Sequence, residues 1–136
     1  MSATTARATI QAYYDAFNRG DIAGMLECLH GDFAHHVNEG ATRLGKQAFA
    51  EFCAHMSETY KELLTDLVVF SNDEGTRGAA EFIVNGTYLK TDPGLPEARG
   101  QTYVLPAGGF FTLKDGKITR VTTYYNLQDW LRQVGG

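Results

Sequence analysis

The apolar residues of this chain change their spacing once, near residue 61, and that change limits the folds open to it. Before it they recur every three to four residues, and after it every second residue. The first spacing is that of a helical face packed on a core, and the second is that of a strand with one face inward. Helices gathered early and strands late exclude an alternating βαβ arrangement and indicate an α+β fold.

In the helical part, Ile10, Tyr13, Tyr14 and Phe17 share one face, and Gly20 supplies the backbone freedom to end the helix. Asp21 suits the cap of a second helix, in which Ile22, Met25, Leu26 and Leu29 repeat the spacing up to Gly31. A short strand is expected over 33–37, then a turn-rich stretch over 38–45. The third helix carries Phe49, Phe52, Cys53, Met56 and Tyr60 as an apolar stripe, wide enough to cover a sheet.

Strands are expected over 63–70, 77–90, 101–114 and 117–125. The last two are joined by Lys114-Asp115-Gly116-Lys117, whose Asp-Gly pair favours a type I′ hairpin. Between the middle strands, Thr91-Asp92-Pro93-Gly94-Leu95-Pro96 cannot sustain a ladder and is expected to be an exposed loop. Gly108-Gly109 leaves nothing to pack and is expected to mark a bulge or bend that curves the sheet around a pocket. Asn126 caps a last short helix with Leu127, Trp130, Leu131 and Val134 on its apolar face.

Composition narrows the class. With 136 residues, 43% hydrophobic and 21% charged, the chain reads as one ordinary globular domain, able to bury roughly two-thirds of its unfolded surface. The net charge is -4 and the 12 Lys and Arg residues are scattered, which argues against nucleic acid as a partner. No apolar run approaches the ~20 residues of a membrane span, and residues 1–7 lack the apolar segment of a secretion signal. No membrane partner is expected, and the cytoplasm is the expected compartment. Cys28 and Cys53 lie in helical patterns without metal-ligand spacing and read as buried free thiols. Neither a metal nor a cofactor is expected.

The order of elements, with Tyr13-Tyr14-Asp15-Ala16-Phe17-Asn18-Arg19-Gly20-Asp21 at the first helix corner and Asp115-Gly116-Lys117-Ile118 at the last hairpin, resembles the nuclear-transport-factor-2-like superfamily. Within it the chain is most similar to the SnoaL-like and ketosteroid-isomerase-related proteins, over about residues 6–134. The resemblance implies a cystatin-like cone, a curved antiparallel sheet wrapped on N-terminal helices around a pocket open at one end. It also implies a homodimer paired through the convex face of the sheet.

Steroid isomerases of this type move a proton with a carboxylate while a tyrosine and a protonated aspartic acid hold the enolate oxygen. The resemblance puts that tyrosine at Tyr13. It puts the base at Val37 and the aspartic acid at Gly109, so both carboxylates are missing and steroid isomerisation is expected to be absent or very weak. The polyketide-cyclase pattern puts its aspartate near Gly109 and its histidine near Tyr88, and the chain departs at both.

Alternation along the strand puts His35 on the same face as Val37, with His36 on the other. A neutral imidazole can serve as a base near pH 7, and a core histidine satisfied by a hydrogen bond is the equal alternative. Adjacent strand residues face opposite sides, so His35 and His36 make a poor metal pair. Glu39, just past the strand, would lie at the mouth, as a partner for His35 or as a solvated loop carboxylate. Tyr13, Tyr103 and Tyr125 at inward positions would form a donor-lined aromatic box. Phe17, Val37, Phe52, Met56, Tyr88 and Phe111 would complete the walls, or simply pack the core.

Two functions are thus open. One is a cofactor-free isomerase, lyase or hydrolase moving a proton on a small apolar or aromatic molecule, with His35 as base and Tyr13 as oxygen-polarising donor. The other is a non-catalytic ligand-binding or interaction module. An enzyme needs His35 within reach of open cavity and of an orienting partner, whereas a binder needs only the walls.

Overall fold

A computed structural model describes residues 2–38 and 40–135. Ser2 accepts the Thr5 amide at 3.1 Å and opens α1 (Ala3–Arg19), whose inward face is Ala6, Ile10, Tyr13 and Tyr14. Gly20 stops it at φ 71, with its amide on the Ala16 and Phe17 carbonyls, a left-handed geometry in which a Cβ would be strained. Asp21 then accepts the Gly24 amide at 2.9 Å and caps α2 (Ile22–Glu27).

Leu29, expected to extend that helix, instead opens β1 (Leu29–Val37). The Cys28 carbonyl accepts the Ile118 amide at 2.9 Å, so pairing with a distant strand takes the chain before the helical spacing runs out. The turn-rich stretch after β1 holds a two-residue strand, β2 (Arg43–Leu44), and leads into α3 (Gly45–Thr59). Tyr60, expected on the helix stripe, has extended backbone and starts β3 (Tyr60–Ser71), opposite Tyr88. The remaining elements are β4 (Arg77–Tyr88), β5 (Thr102–Lys114), β6 (Lys117–Tyr125) and α4 (Leu127–Gly135).

The six strands form one curved sheet in the order β2-β1-β6-β5-β4-β3. Every pairing is antiparallel except that of β1 with β6, which is parallel and departs from the antiparallel expectation. These two strands are far apart in sequence and meet only because the β3 to β6 meander returns to them. Asp115 and Gly116, at φ 51 and 77, form the expected hairpin turn. The Asn126 side chain accepts the Asp129 amide at 3.1 Å and caps α4.

Gly108-Gly109 is not a bulge, because the pairing with β4 runs through it unbroken. The register breaks lie elsewhere, between Leu29 and Ala34, between Thr65 and Val68 and between Thr112 and Leu113. Gly109 answers a different need, since a Cβ there would sit 2.5 Å from the Tyr14 hydroxyl.

Phe33, Phe49, Phe111, Ile118 and Val121 fill the space between helices and concave face, while Trp130 and Val134 of α4 close one end. No helix among the described residues is long and apolar enough to cross a membrane. On the convex face Leu63, Phe70, Val104 and Phe110 are each about half exposed, and strand register sets Leu63 and Val104 in one row and Phe70 and Phe110 in another.

Candidate functional site

Between the concave face and the helices lies a cavity of about 920 Å³. Of the residues expected in it, Tyr13 and Phe17 reach it from α1, His35 and Val37 from β1, Phe52 and Met56 from α3, and Tyr125 from β6. Tyr88, Tyr103 and Phe111 do not form its wall and are packed behind it. The Tyr88 hydroxyl donates to the Pro96 carbonyl at 2.6 Å and accepts the Asp92 amide at 2.9 Å, which ties down the following loop. Phe111 packs edge-on against Tyr13 and Tyr14, and Tyr103 is drawn to Glu62. Glu39 lies outside the described residues.

His35 is held where strand alternation put it. The break in β1 falls upstream of Ala34, so 34–37 pair without a slip, and His35 and Val37 face the cavity while His36 turns to the Thr42 hydroxyl at 3.1 Å. The imidazole is 3% exposed and packs among Phe33, Phe49 and Phe52, with ring centroids 4.8 Å away for the last two. Burial, reinforced by the Arg43 and His36 charges, pushes its pKa down to about 4, so it is neutral at pH 7. Its Nδ1 is buried without a partner. The orienting group expected for a catalytic base is therefore missing among the described residues.

Tyr13 shares the Phe49 ring with His35. Its hydroxyl makes no hydrogen bond among the described residues, and burial, with Tyr14 and the two cysteines nearby, raises its pKa. It is a neutral donor that a ligand oxygen could use. The Tyr14 hydroxyl is also buried and unpaired, and it fills the space where a side chain at Gly109 would lie. Any side chain at 109 would need the Tyr14 ring to move aside.

Arg43, Asp92 and Glu62 are among the polar wall residues that were not expected. Arg43 lies with its guanidinium 4.2 Å from the centre of the Phe52 ring and forms no ion pair among the described residues, a cation–π placement. Asp92 accepts the Tyr60 hydroxyl at 2.7 Å and faces His55 Nε2 at 3.0 Å. The loop read as exposed thus folds back, and its Asp92 and Leu95 join the wall. The third residue, Glu62, meets the Tyr103 hydroxyl at 2.5 Å, and burial raises its pKa more than this bond lowers it. Its inward position follows from alternation with the buried Leu64. Placing the strand start at Leu63 rather than Tyr60 hid that signal.

The SnoaL-like domain model matches residues 10–121. The chain belongs to the SnoaL-like family. This SnoaL-like chain also has close counterparts among solved structures. A candidate polyketide cyclase of Silicibacter sp. superposes with a TM-score of 0.95 at 62% identity, over 100% of this chain and 99% of that one. One from Xanthomonas campestris pv. campestris gives 0.94 at 54%, over 98% of each chain, and one from Pseudomonas putida gives 0.93 at 51%, also over 98% of each. A search of the curated proteins finds no match. The fold is that of the nuclear-transport-factor-2-like proteins, as the corner and hairpin motifs implied.

Proposed function

We propose that this SnoaL-like protein is a cofactor-free enzyme of the isomerase or cyclase type, moving a proton on a small, mostly apolar molecule held in the cavity. The observation that carries this reading is the buried His35 imidazole, neutral and facing the same cavity as the unpaired Tyr13 hydroxyl. A carbonyl oxygen on Tyr13 would make the neighbouring C–H bond more acidic, and the imidazole would take that proton. The names of the similar structures, candidate polyketide cyclases, are consistent with proton chemistry on carbonyl compounds.

A simple probe is 2-tetralone, a small apolar ketone whose proton loss next to the carbonyl is followed by NMR in deuterated water. The protein is expected to accelerate the exchange. His35→Ala should lower that acceleration by ~10² or more while His36→Ala changes it little. A non-catalytic binder is the second reading, favoured by the unpartnered Nδ1 of His35. Trp130 is the only tryptophan and lines the cavity. Fluorescence quenching by 2-tetralone without any exchange would select the binder.

We also propose that the functional unit is a homodimer, a second copy covering Leu63, Phe70, Val104 and Phe110, four apolar side chains about half exposed on one face of the sheet. Light scattering at micromolar concentration should give twice 15.0 kDa. A mass of one chain would rule this out.

A further inference from the structure

We infer that Glu62 is a second proton-transferring residue of the cavity, positioned by Tyr103 across Gly86. The inference rests on the proton-transfer reading above. Three strands align at this point, with Glu62 of β3 opposite Gly86 of β4, and Gly86 opposite Tyr103 of β5. The Tyr103 ring crosses the gap that the glycine leaves, since a Cβ at position 86 would lie 2.1 Å from the ring carbon Cζ. Any side chain there would close the path by which the Tyr103 hydroxyl reaches Glu62 Oε2. Glycine and tyrosine are a matched pair, and what they accomplish is to fix one oxygen of a carboxyl group that lines the cavity. The other oxygen makes no hydrogen bond among the described residues.

Glu62 therefore has both features expected of a catalytic group, an orienting partner and open cavity beside it. His35 has only the second. The groups around the carboxyl are Tyr103 from β5 and Tyr125 from β6, with Tyr60 next to Tyr103 and Asp92 next to Tyr125. No Lys or Arg among the described residues forms an ion pair with it. With no cation to hold the charged form, burial shifts the carboxyl toward its protonated form, and it is as that acid that Glu62 would donate.

The two groups then complement each other. In an enolisation or ring closure the C–H bond breaks, its proton passes to the His35 imidazole, and its electron pair enters the new C=C or C–C bond. The substrate oxygen that gains charge, polarised by the Tyr13 hydroxyl, takes the Glu62 proton. Return of the proton from imidazolium to carboxylate through water resets both groups, so substrate and product have the same composition and no co-reactant is needed.

The test combines two measurements. In a carbon-13 NMR titration of the carboxyl groups, Glu62 should titrate above the ordinary glutamate value of about 4.3. It should move further up in Tyr103→Phe, which removes the bond that lowers it, and Gly86→Ala should do the same by displacing the ring. In the 2-tetralone exchange assay, Glu62→Gln should lose ~10² of the rate, and Tyr103→Phe should shift the pH profile upward. Should Glu62→Gln not fold, Glu62→Asp withdraws the carboxyl from Tyr103 and should lose exchange in a folded protein. Full exchange by a folded Glu62→Gln overturns the role of Glu62 alone. A carboxyl that titrates normally and ignores Tyr103→Phe overturns it as well. Absence of exchange in the wild type overturns the proton-transfer reading itself.

Discussion

Replacing Trp130 by alanine is expected to cost ~3–5 kcal/mol of folding free energy, seen as a lower urea midpoint. The indole is 4% exposed and is the common neighbour of Tyr60, Tyr88 and Tyr103, with ring centroids 6.1, 5.1 and 6.0 Å away. These tyrosines sit at the ends of three different strands, so one side chain joins α4 to β3, β4 and β5. Truncation would open the cavity wall to solvent and release the rings that anchor Asp92 and Glu62. Leu131→Ala on the same helix is only partly buried and should cost clearly less. Equal, small losses for the two variants would show that α4 does not hold this end of the sheet.

Acid should weaken the fold through His35, with a loss of ~2 kcal/mol between pH 7 and pH 5. Burial holds the native imidazole near 4, against an ordinary value of 6.5. The unfolded chain therefore binds a proton in a range where the native chain does not, and protonation favours unfolding. The stabilising difference is whole above pH 6.5, declines as pH falls, and the loss is complete below about 4. His35→Phe keeps a ring among Phe33, Phe49 and Phe52 and removes the unpartnered Nδ1. That variant should be at least as stable at pH 7 and should lack this part of the acid sensitivity. His30, His36 and His55 are common to both proteins, so the difference in urea midpoints at the two pH values isolates His35. Identical acid sensitivity would mean that the imidazole is solvated or paired.

Tyr14 makes a contact that no sequence motif announces. Its hydroxyl fills the volume beside Gly109 and has no partner, a burial that costs about 1–3 kcal/mol. The sequence shows a glycine where the resemblance to steroid isomerases implied a carboxyl group, but not that the Tyr14 hydroxyl packs against that glycine.

Features governed by neighbours within a few residues could be read directly. Asp21 caps its helix, Asp115-Gly116 makes its turn, Asn126 caps α4, and the period of two puts His35 inward and His36 outward. Each depends on backbone geometry that the local residue types dictate. Leu29 and Tyr60 could not be read in this way, because helical spacing continued through them while distant strands, β6 and β4, took them into the sheet.

The candidate site divides along the same line. Strand parity was enough for His35, Val37 and Tyr125, and helical spacing for Tyr13, Phe17, Phe52 and Met56. It could not separate the wall from the layer behind it, so Tyr88, Tyr103 and Phe111 were expected to touch the cavity. By itself the sequence determined the α+β class, the family, the corner, the hairpin and the inward face of β1 at His35. The tertiary structure alone decided that β1 lies parallel to β6, that the loop carrying Asp92 folds back onto the cavity, and that Glu62, Gly86 and Tyr103 stand in one row. The reason is physical: alternation tells which side of a sheet a residue faces, while which residues meet across strands depends on register and curvature, set by contacts among residues far apart in the chain.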